Sequence, residues 1–472
     1  MKQTADFINE ELIGQLLGEG RGASRQRVEE IIEKARGFKG LSPEEVATLI
    51  QVEDPDLLEK IYQTAKEVKE HIYGKRVVLF APLYLSNECI NNCLYCPYRH
   101  DIENIPRKTL SEEEIAEECK YIEEMGHKRI VIESGEHPGK TPIEYICNAM
   151  RKIYETTNEN GSIRRINVNI AATTVEEYKK LKEAGIGTYT LFQETYHRET
   201  YRKMHPEGPK ADYDWHTTAM DRAMQAGIDD VGVGVLFGQY DYKFELVALM
   251  LHARHLEETF GVGPHTISVP RIRKAPGNAL PHIPYAVDDA SFKKIVAVIR
   301  IAVPYTGMIM STRESAEARD EFIAMGISQI SAGSCTGVGG YGEKIQDLKE
   351  NKYHKDKTAQ FKTHDNRSPE EIIQSICKAG YIPSYCTACY RQGRTGDRFM
   401  QLAKCGEIQN VCQPNAILTF KEYLMDYASP ETRAIGETTI QEHIKQIKDP
   451  KIRELVIEEL KKIETGVRDL YF

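Results

Sequence analysis

The sequence predicts an α/β fold: a (β/α)8 barrel of the TIM type with a helical N-terminal extension and a mainly helical C-terminal domain. Three observations carry this. From residue 76 onward, short apolar β-prone runs alternate with amphipathic helical runs. Eight such strand–helix units fill about 260 residues, the number and length of a closed barrel. The chain has 472 residues, room for about three domains of roughly 150 residues each, or for one large barrel with additions. An open doubly wound sheet is the alternative arrangement of the same alternation.

Residues 1–74 read as helices; Ser42-Pro43-Glu44-Glu45 is a capping box with proline at the first helical position. Arg76 to Leu85 (RVVLFAPLYL) is the first buried strand. Ser111 then caps a helix to about Met125, followed by a strand at Arg129 to Glu133. Next come helix Pro142 to Thr157 with strand Arg165 to Ala171, and helix Thr174 to Ala184 with strand Thr188 to Gln193. Helix Tyr213 to Ala226 leads to strand Asp230 to Phe237, and helix Phe244 to Thr259 to strand Thr266 to Pro270. Helix Asp288 to Ala302 precedes strand Gly307 to Ser311, and helix Ser315 to Met325 the last strand, Ser328 to Ala332. A glycine-rich run, GSCTGVGGYG, and a polar stretch from Glu343 to Asp365 mark a boundary. The expected domains are therefore 1–74, a barrel over 75–340, and 341–472. In the last, Ser368-Pro369-Glu370-Glu371 opens a helix to about Ala379, and a charged helix runs near Thr439 to Thr465.

Composition narrows the function. Hydrophobic residues are 41% and charged residues 28%, enough for a full core. The net charge is −9 with no basic stripe, which argues against a nucleic-acid partner. No apolar run approaches a membrane span, and the start, MKQTADFINEEL, has no apolar signal core, so a cytoplasmic protein is expected. Eleven cysteines in such a chain point to metal or redox chemistry rather than disulfides.

Cys89, Cys93 and Cys96 fall within eight residues, just after the first strand. Three thiolates on one loop hold three corners of a cubane 4Fe–4S cluster and leave one iron open for substrate. Zinc is the competing metal, with His100 as the nearby fourth ligand; unrelated buried thiols are the bland alternative. C-x3-C-x2-C after the first barrel strand, with an aromatic residue (Tyr95) before the last cysteine, resembles the radical S-adenosylmethionine (radical SAM) superfamily. The resemblance implies that the open iron chelates S-adenosyl-L-methionine and that its reductive cleavage gives a 5′-deoxyadenosyl radical. Ser134-Gly135-Glu136 resembles the superfamily's Gly-Gly-Glu motif, with Ser134 replacing the first glycine, and Glu136 would accept from the methionine ammonium. A solvated strand-end carboxylate is its bland reading. Gln193-Glu194-Thr195 ends the fourth strand; Glu194 resembles the acidic residue that holds the ribose or ammonium, and His216 sits where a cofactor contact is often found. A satisfied helix histidine is the other reading of His216. Gly232-Val233-Gly234 would let a flat ring approach the backbone and fails as a dinucleotide fingerprint, since no helix-opening G-x-G-x-x-G follows a strand.

A second trio, Cys386-x2-Cys389-x22-Cys412, lies near the C-terminus, with Cys405 close enough for a four-cysteine electron-transfer cluster or a zinc site. The 2-then-22 spacing is similar to that of the tyrosine-cleaving maturases of FeFe-hydrogenase, a likeness that spans nearly the whole chain. The related tyrosine lyases of thiamine biosynthesis share the barrel but lack this trio. That resemblance implies cleavage of the Cα–Cβ bond of L-tyrosine to p-cresol and dehydroglycine. It also implies conversion of dehydroglycine at the second cluster to carbon monoxide and cyanide for the hydrogenase diiron site. The second cluster would carry an extra labile iron, held by His265 and by free cysteine. A reduced electron donor and other hydrogenase-maturation proteins would be partners. Arg271, Arg273 and Arg313 are candidates for the tyrosine carboxylate, and Ser331 and Ser334 could add hydroxyl donors. Cys119, Cys147 and Cys377 read as core residues. A radical SAM lyase for another aromatic amino acid, or a non-enzymatic iron–sulfur carrier, are the alternative functions.

Overall fold

The computed structural model describes residues 3–273, 280, 282–350 and 357–472. Eight strands close into a barrel: β1 (Arg76–Ser86), β2 (Arg129–Ser134), β3 (Arg165–Asn169), β4 (Tyr189–Thr190), β5 (Val231–Gly234), β6 (Thr266–Ser268), β7 (Gly307–Met310) and β8 (Gln329–Ser331). Every neighbour pair is parallel, and β8 returns to β1 with Val78 opposite Gln329 and Phe80 opposite Ser331. That closure decides for the barrel over the open sheet.

A ninth strand, β9 (Ile382–Ser384), comes from the C-terminal region and escaped the sequence reading. It pairs parallel with the start of β1, Arg76 opposite Ile382 and Val78 opposite Ser384. Val78 faces β8 on one edge, so β9 lies on the other edge, which β2 takes over from Ala81. Pro383 is tolerated because this strand sits at the margin of the sheet.

The apolar core lies between strands and helices, as the periodicity requires. Tyr178, Phe292 and Phe322 are fully buried there. The barrel interior differs. Inward positions in such barrels are usually branched and apolar; here they include Arg129, Arg165, Asn167, Asn169, Thr190, Ser268, Gln329 and Ser331. Space in this layer is tight: a Cβ at Gly232 would lie 2.4 Å from Thr266 Oγ1 and 2.9 Å from Thr190 Oγ1. The ring that approaches Gly234 is the chain's own Phe192, whose Cδ1 would meet a Cβ there at 2.8 Å.

Two expected helices divide. The stretch at 213–226 is two short helices, Tyr213–Thr217 and Ala219–Gln225. Thr217 and Thr218 donate their hydroxyls back to Tyr213 O and Asp214 O, which loosens the ladder there. The C-terminal charged helix is also two, Pro430–Gln446 and Pro450–Glu464. Pro450 has no amide to continue the first, and Asp449 caps the second. The glycine-rich run leads straight into a helix, Gly340–Lys349, where a polar connection was expected; residues 351–356 of that stretch lie outside the described residues.

Candidate active site and second cysteine site

The loop after β1 carries the first trio, and buried polar contacts fix it. Arg107 donates to the carbonyls of Asn87, Tyr98, Arg99 and Ile102. The Asn87 side chain bridges Pro106 O and Lys108 N. Gly135 N donates to Ser86 O, and Ile90 N to Glu136 O at 2.8 Å. A Cβ at Gly135 would lie 2.3 Å from Glu88 O, so the loop can approach β2 only over a glycine.

Cys89, Cys93 and Cys96 line one large cavity at the C-terminal ends of the strands, together with Tyr95, Glu136 and Glu194. Burial pushes the Cys93 thiol up to about 12 and raises Cys96 too. Buried thiols become thiolates only beside strong positive charge, which a metal centre supplies. One zinc ion would bring its sulfurs to about 3.8 Å of one another, given Zn–S bonds near 2.3 Å. Among the described residues, neither cysteine trio closes to within 4.8 Å; His100, Asp101 and Glu207 do, exposed at the surface.

The acidic residues are held by partners the sequence reading missed. Asn91, inside the cysteine loop, donates to Glu136 Oε2 at 2.6 Å, and its own carbonyl oxygen accepts from Lys210 N at 2.9 Å. Burial raises the Glu136 carboxyl above the usual range. Lys210 Nζ is 2.8 Å from Glu194 Oε1. Burial opposes the lysine's charge, but Glu194 and the Cys93 thiol outweigh it and hold Lys210 above the ordinary range. Glu194 itself sits at φ 69, a strained value for a non-glycine residue. Tyr95 Oη is 2.8 Å from His205 Nε2.

Other expected residues scatter. Arg273, Arg313, Ser331 and Ser334 line the large cavity. Arg271 does not; it is buried and committed to Glu314, to Asp289 at 2.8 Å and to Val287 O. Arg273 also donates to Glu314, at 2.6 Å. Gln193 and His216 face a separate small cavity behind β4 and β5. There His216 Nε2 is 2.9 Å from Phe192 O, and Gln193 Nε2 donates to Thr217 Oγ1 at 2.9 Å.

The second trio lies at the opposite end of the barrel. Cys386, Cys389, Cys412 and His265 line one cavity with Arg76, Arg129 and Tyr390. Cys405 is exposed and is not among these lining residues. Cys389 and Cys412 share a hydrogen bond that lowers the Cys412 thiol and raises Cys389. Burial, reinforced by Arg165, Arg129 and Arg76, lowers the His265 imidazole below its usual range and keeps it neutral, the form that ligates iron. Its Nδ1 is 3.4 Å from Asp230 Oδ1, and Tyr390 Oη is 3.3 Å from its Nε2. The donor set of three thiols and a neutral imidazole suits an iron–sulfur cluster with a neighbouring iron.

The radical SAM superfamily model matches residues 83–251, and the biotin and thiamin synthesis associated domain matches residues 268–382. The 2-iminoacetate synthase of Escherichia coli is 31% identical over 353 residues, 75% of this chain and 89% of that protein. A crystal structure of HydG, described as a maturase of the [FeFe]-hydrogenase, superimposes with a TM-score of 0.95 at 59% identity, covering 99% of this chain and 100% of that one. The HydG structure from Carboxydothermus hydrogenoformans gives 0.83 at 38% identity, covering 96% and 99%. A parallel barrel with a three-cysteine loop at the mouth defines a radical SAM protein. Within that class the chain belongs to the HydG family of FeFe-hydrogenase maturases. Among the described residues no helix is long and apolar enough to cross a membrane.

Proposed function

We propose that the protein cleaves the Cα–Cβ bond of L-tyrosine to p-cresol and dehydroglycine. Dehydroglycine is then converted to carbon monoxide and cyanide for the FeFe-hydrogenase diiron site. The observation that carries this is two cysteine trios at opposite ends of one barrel whose inward side chains are polar. The E. coli relative's name, 2-iminoacetate synthase, supports dehydroglycine as the first product.

In this reading Cys89, Cys93 and Cys96 hold a 4Fe–4S cluster with one open iron. S-adenosyl-L-methionine bound there supplies the radical that takes a hydrogen atom from the tyrosine amino group. Glu136, steadied by Asn91, accepts from the methionine ammonium, and Tyr95 and the Glu194–Lys210 pair line the cofactor's side of the cavity. Gln193 and His216 act one step back, holding the β4 end beneath Glu194. Arg313 is the best-suited carboxylate partner, because its guanidinium stacks 3.8 Å from the Phe361 ring centroid while Arg271 and Arg273 are engaged by Glu314. Ser331 and Ser334 offer hydroxyls in the same cavity, and among the described residues the buried Ser334 Oγ has no hydrogen-bond partner. Cys386, Cys389 and Cys412 hold the second cluster, and His265 with free cysteine the extra iron. A reduced donor supplies electrons, and other maturation proteins take the product.

The test is an anaerobic assay with reconstituted clusters, dithionite, cofactor and tyrosine, reading p-cresol and carbon monoxide trapped on deoxyhaemoglobin. Both are expected from the native chain. A Cys386→Ala/Cys389→Ala double variant should keep p-cresol and lose carbon monoxide. If carbon monoxide survives that change, the two-site division of labour is wrong.

A further inference from the structure

Glu133 points into the barrel from β2, in register with Tyr84 of β1 and Asn169 of β3. It lines the large cavity with Asn169, Glu194 and Arg313. The other carboxylates on that cavity wall are committed, Glu136 to Asn91 and Glu194 to Lys210. Among the described residues neither Glu133 nor Arg313 has an ion-pair partner, whereas Arg271 and Arg273 share Glu314. One wall therefore presents a carboxyl bonded to the Asn169 amide and a guanidinium stacked on Phe361, neither tied into an ion pair, and together they complement an amino-acid zwitterion.

We propose that Glu133 is the base that takes the proton from the α-ammonium of the substrate while Arg313 holds its carboxylate; this rests on the tyrosine-lyase reading above. Tyrosine enters as the ammonium form. Losing a hydrogen atom from that form would leave a nitrogen radical cation. With the proton moved to a Glu133 oxygen, the free amine keeps its lone pair and two N–H bonds. One N–H then loses its hydrogen atom to the cofactor-derived radical, and the neutral nitrogen radical turns into the C=N of the product as Cα–Cβ breaks homolytically, leaving the unpaired electron on the 4-hydroxybenzyl fragment, which one electron from the reduced donor and one proton convert to p-cresol. Glu133 returns its proton to water when the products leave. Burial pushes its carboxyl up to about 7, the Arg313 charge and the Asn169 amide oppose that, and Glu194 adds to it. A base poised there works near neutral pH. The charged or titratable groups facing Glu133 are Arg313, Glu194 and Tyr84.

The experiment uses the full chain with both clusters, as native, Glu133→Gln and Glu133→Asp. Three quantities are read from about pH 6 to about pH 9: p-cresol rate, the KM for tyrosine, and the electron paramagnetic resonance signature of the cofactor-bound reduced cluster. For Glu133→Gln we expect a fall in p-cresol rate of about 100-fold at neutral pH. The rate should recover as pH rises and tyrosine itself deprotonates. The resonance signature should stay native, and Glu133→Asp should restore part of the rate. A Glu133→Gln rate within about threefold of native overturns the proposal, as does a loss with no recovery at high pH or with a lost cofactor signature. If the native chain makes no p-cresol at all, it is the tyrosine reading that fails.

Discussion

A hydrogen atom in place of a side chain decides whether the cysteine loop can sit on β2. Gly135 meets Glu88 O and the Cβ of Cys89, so even a methyl group there pushes the first ligand outward. Gly135→Ala should cost about 1–3 kcal/mol of overpacking. Iron content should fall from about eight atoms per chain toward four, while the second cluster persists. Metal analysis with p-cresol assay checks this; full iron with full activity would contradict it. The motif was legible in the sequence as SGE, but its partners were not. Asn91 meets Glu136 across 45 positions and Lys210 meets Glu194 across a loop and a short helix, so no local spacing announces either contact. Glu133 read as the end of a strand, because an inward carboxylate is unexpected where barrels are usually apolar.

The helix Tyr242–Phe260 does for Glu194 what no neighbour in sequence does. Its Glu245 is buried, accepts from Tyr196 N at 2.8 Å and from the Thr195 hydroxyl, and so clamps the turn in which Glu194 is strained. Burial raises the Glu245 carboxyl to about 8, against an ordinary value of 4.5. The folded state thus favours the neutral acid. Stability from this group is full below about pH 4.5, falls as pH rises toward about 8, and is then flat. Glu245→Gln, which is neutral throughout, should lose less stability than the native chain between those limits. The change in melting temperature between about pH 6, inside that window, and about pH 8.5, above it, should differ between the two chains by several degrees; equal slopes would refute it. Elements with strong periodicity were legible: all eight barrel strands appear where expected within a few residues, as do their helices apart from the divided one at 213–226. β9 was not, because three residues containing a proline carry no periodicity and gain their place only from β1.

At the scale of the whole molecule, the barrel separates two cysteine trios, one at each mouth. The cluster loop leaves one end of β1 at Ser86, while β9, two residues ahead of Cys386, joins the other end at Arg76. Eleven residues at about 3.3 Å each put roughly 35 Å of strand between the two attachments. In β1, Val78–Phe80 are bonded to β8 on one edge, while the other edge is bonded to β9 over Arg76–Val78 and to β2 from Ala81. Opening it requires breaking the barrel, not fraying a margin. In deuterium-uptake mass spectrometry, the peptide spanning 76–86 should therefore be the last to gain mass, flanked by faster-labelling peptides that carry the thiols.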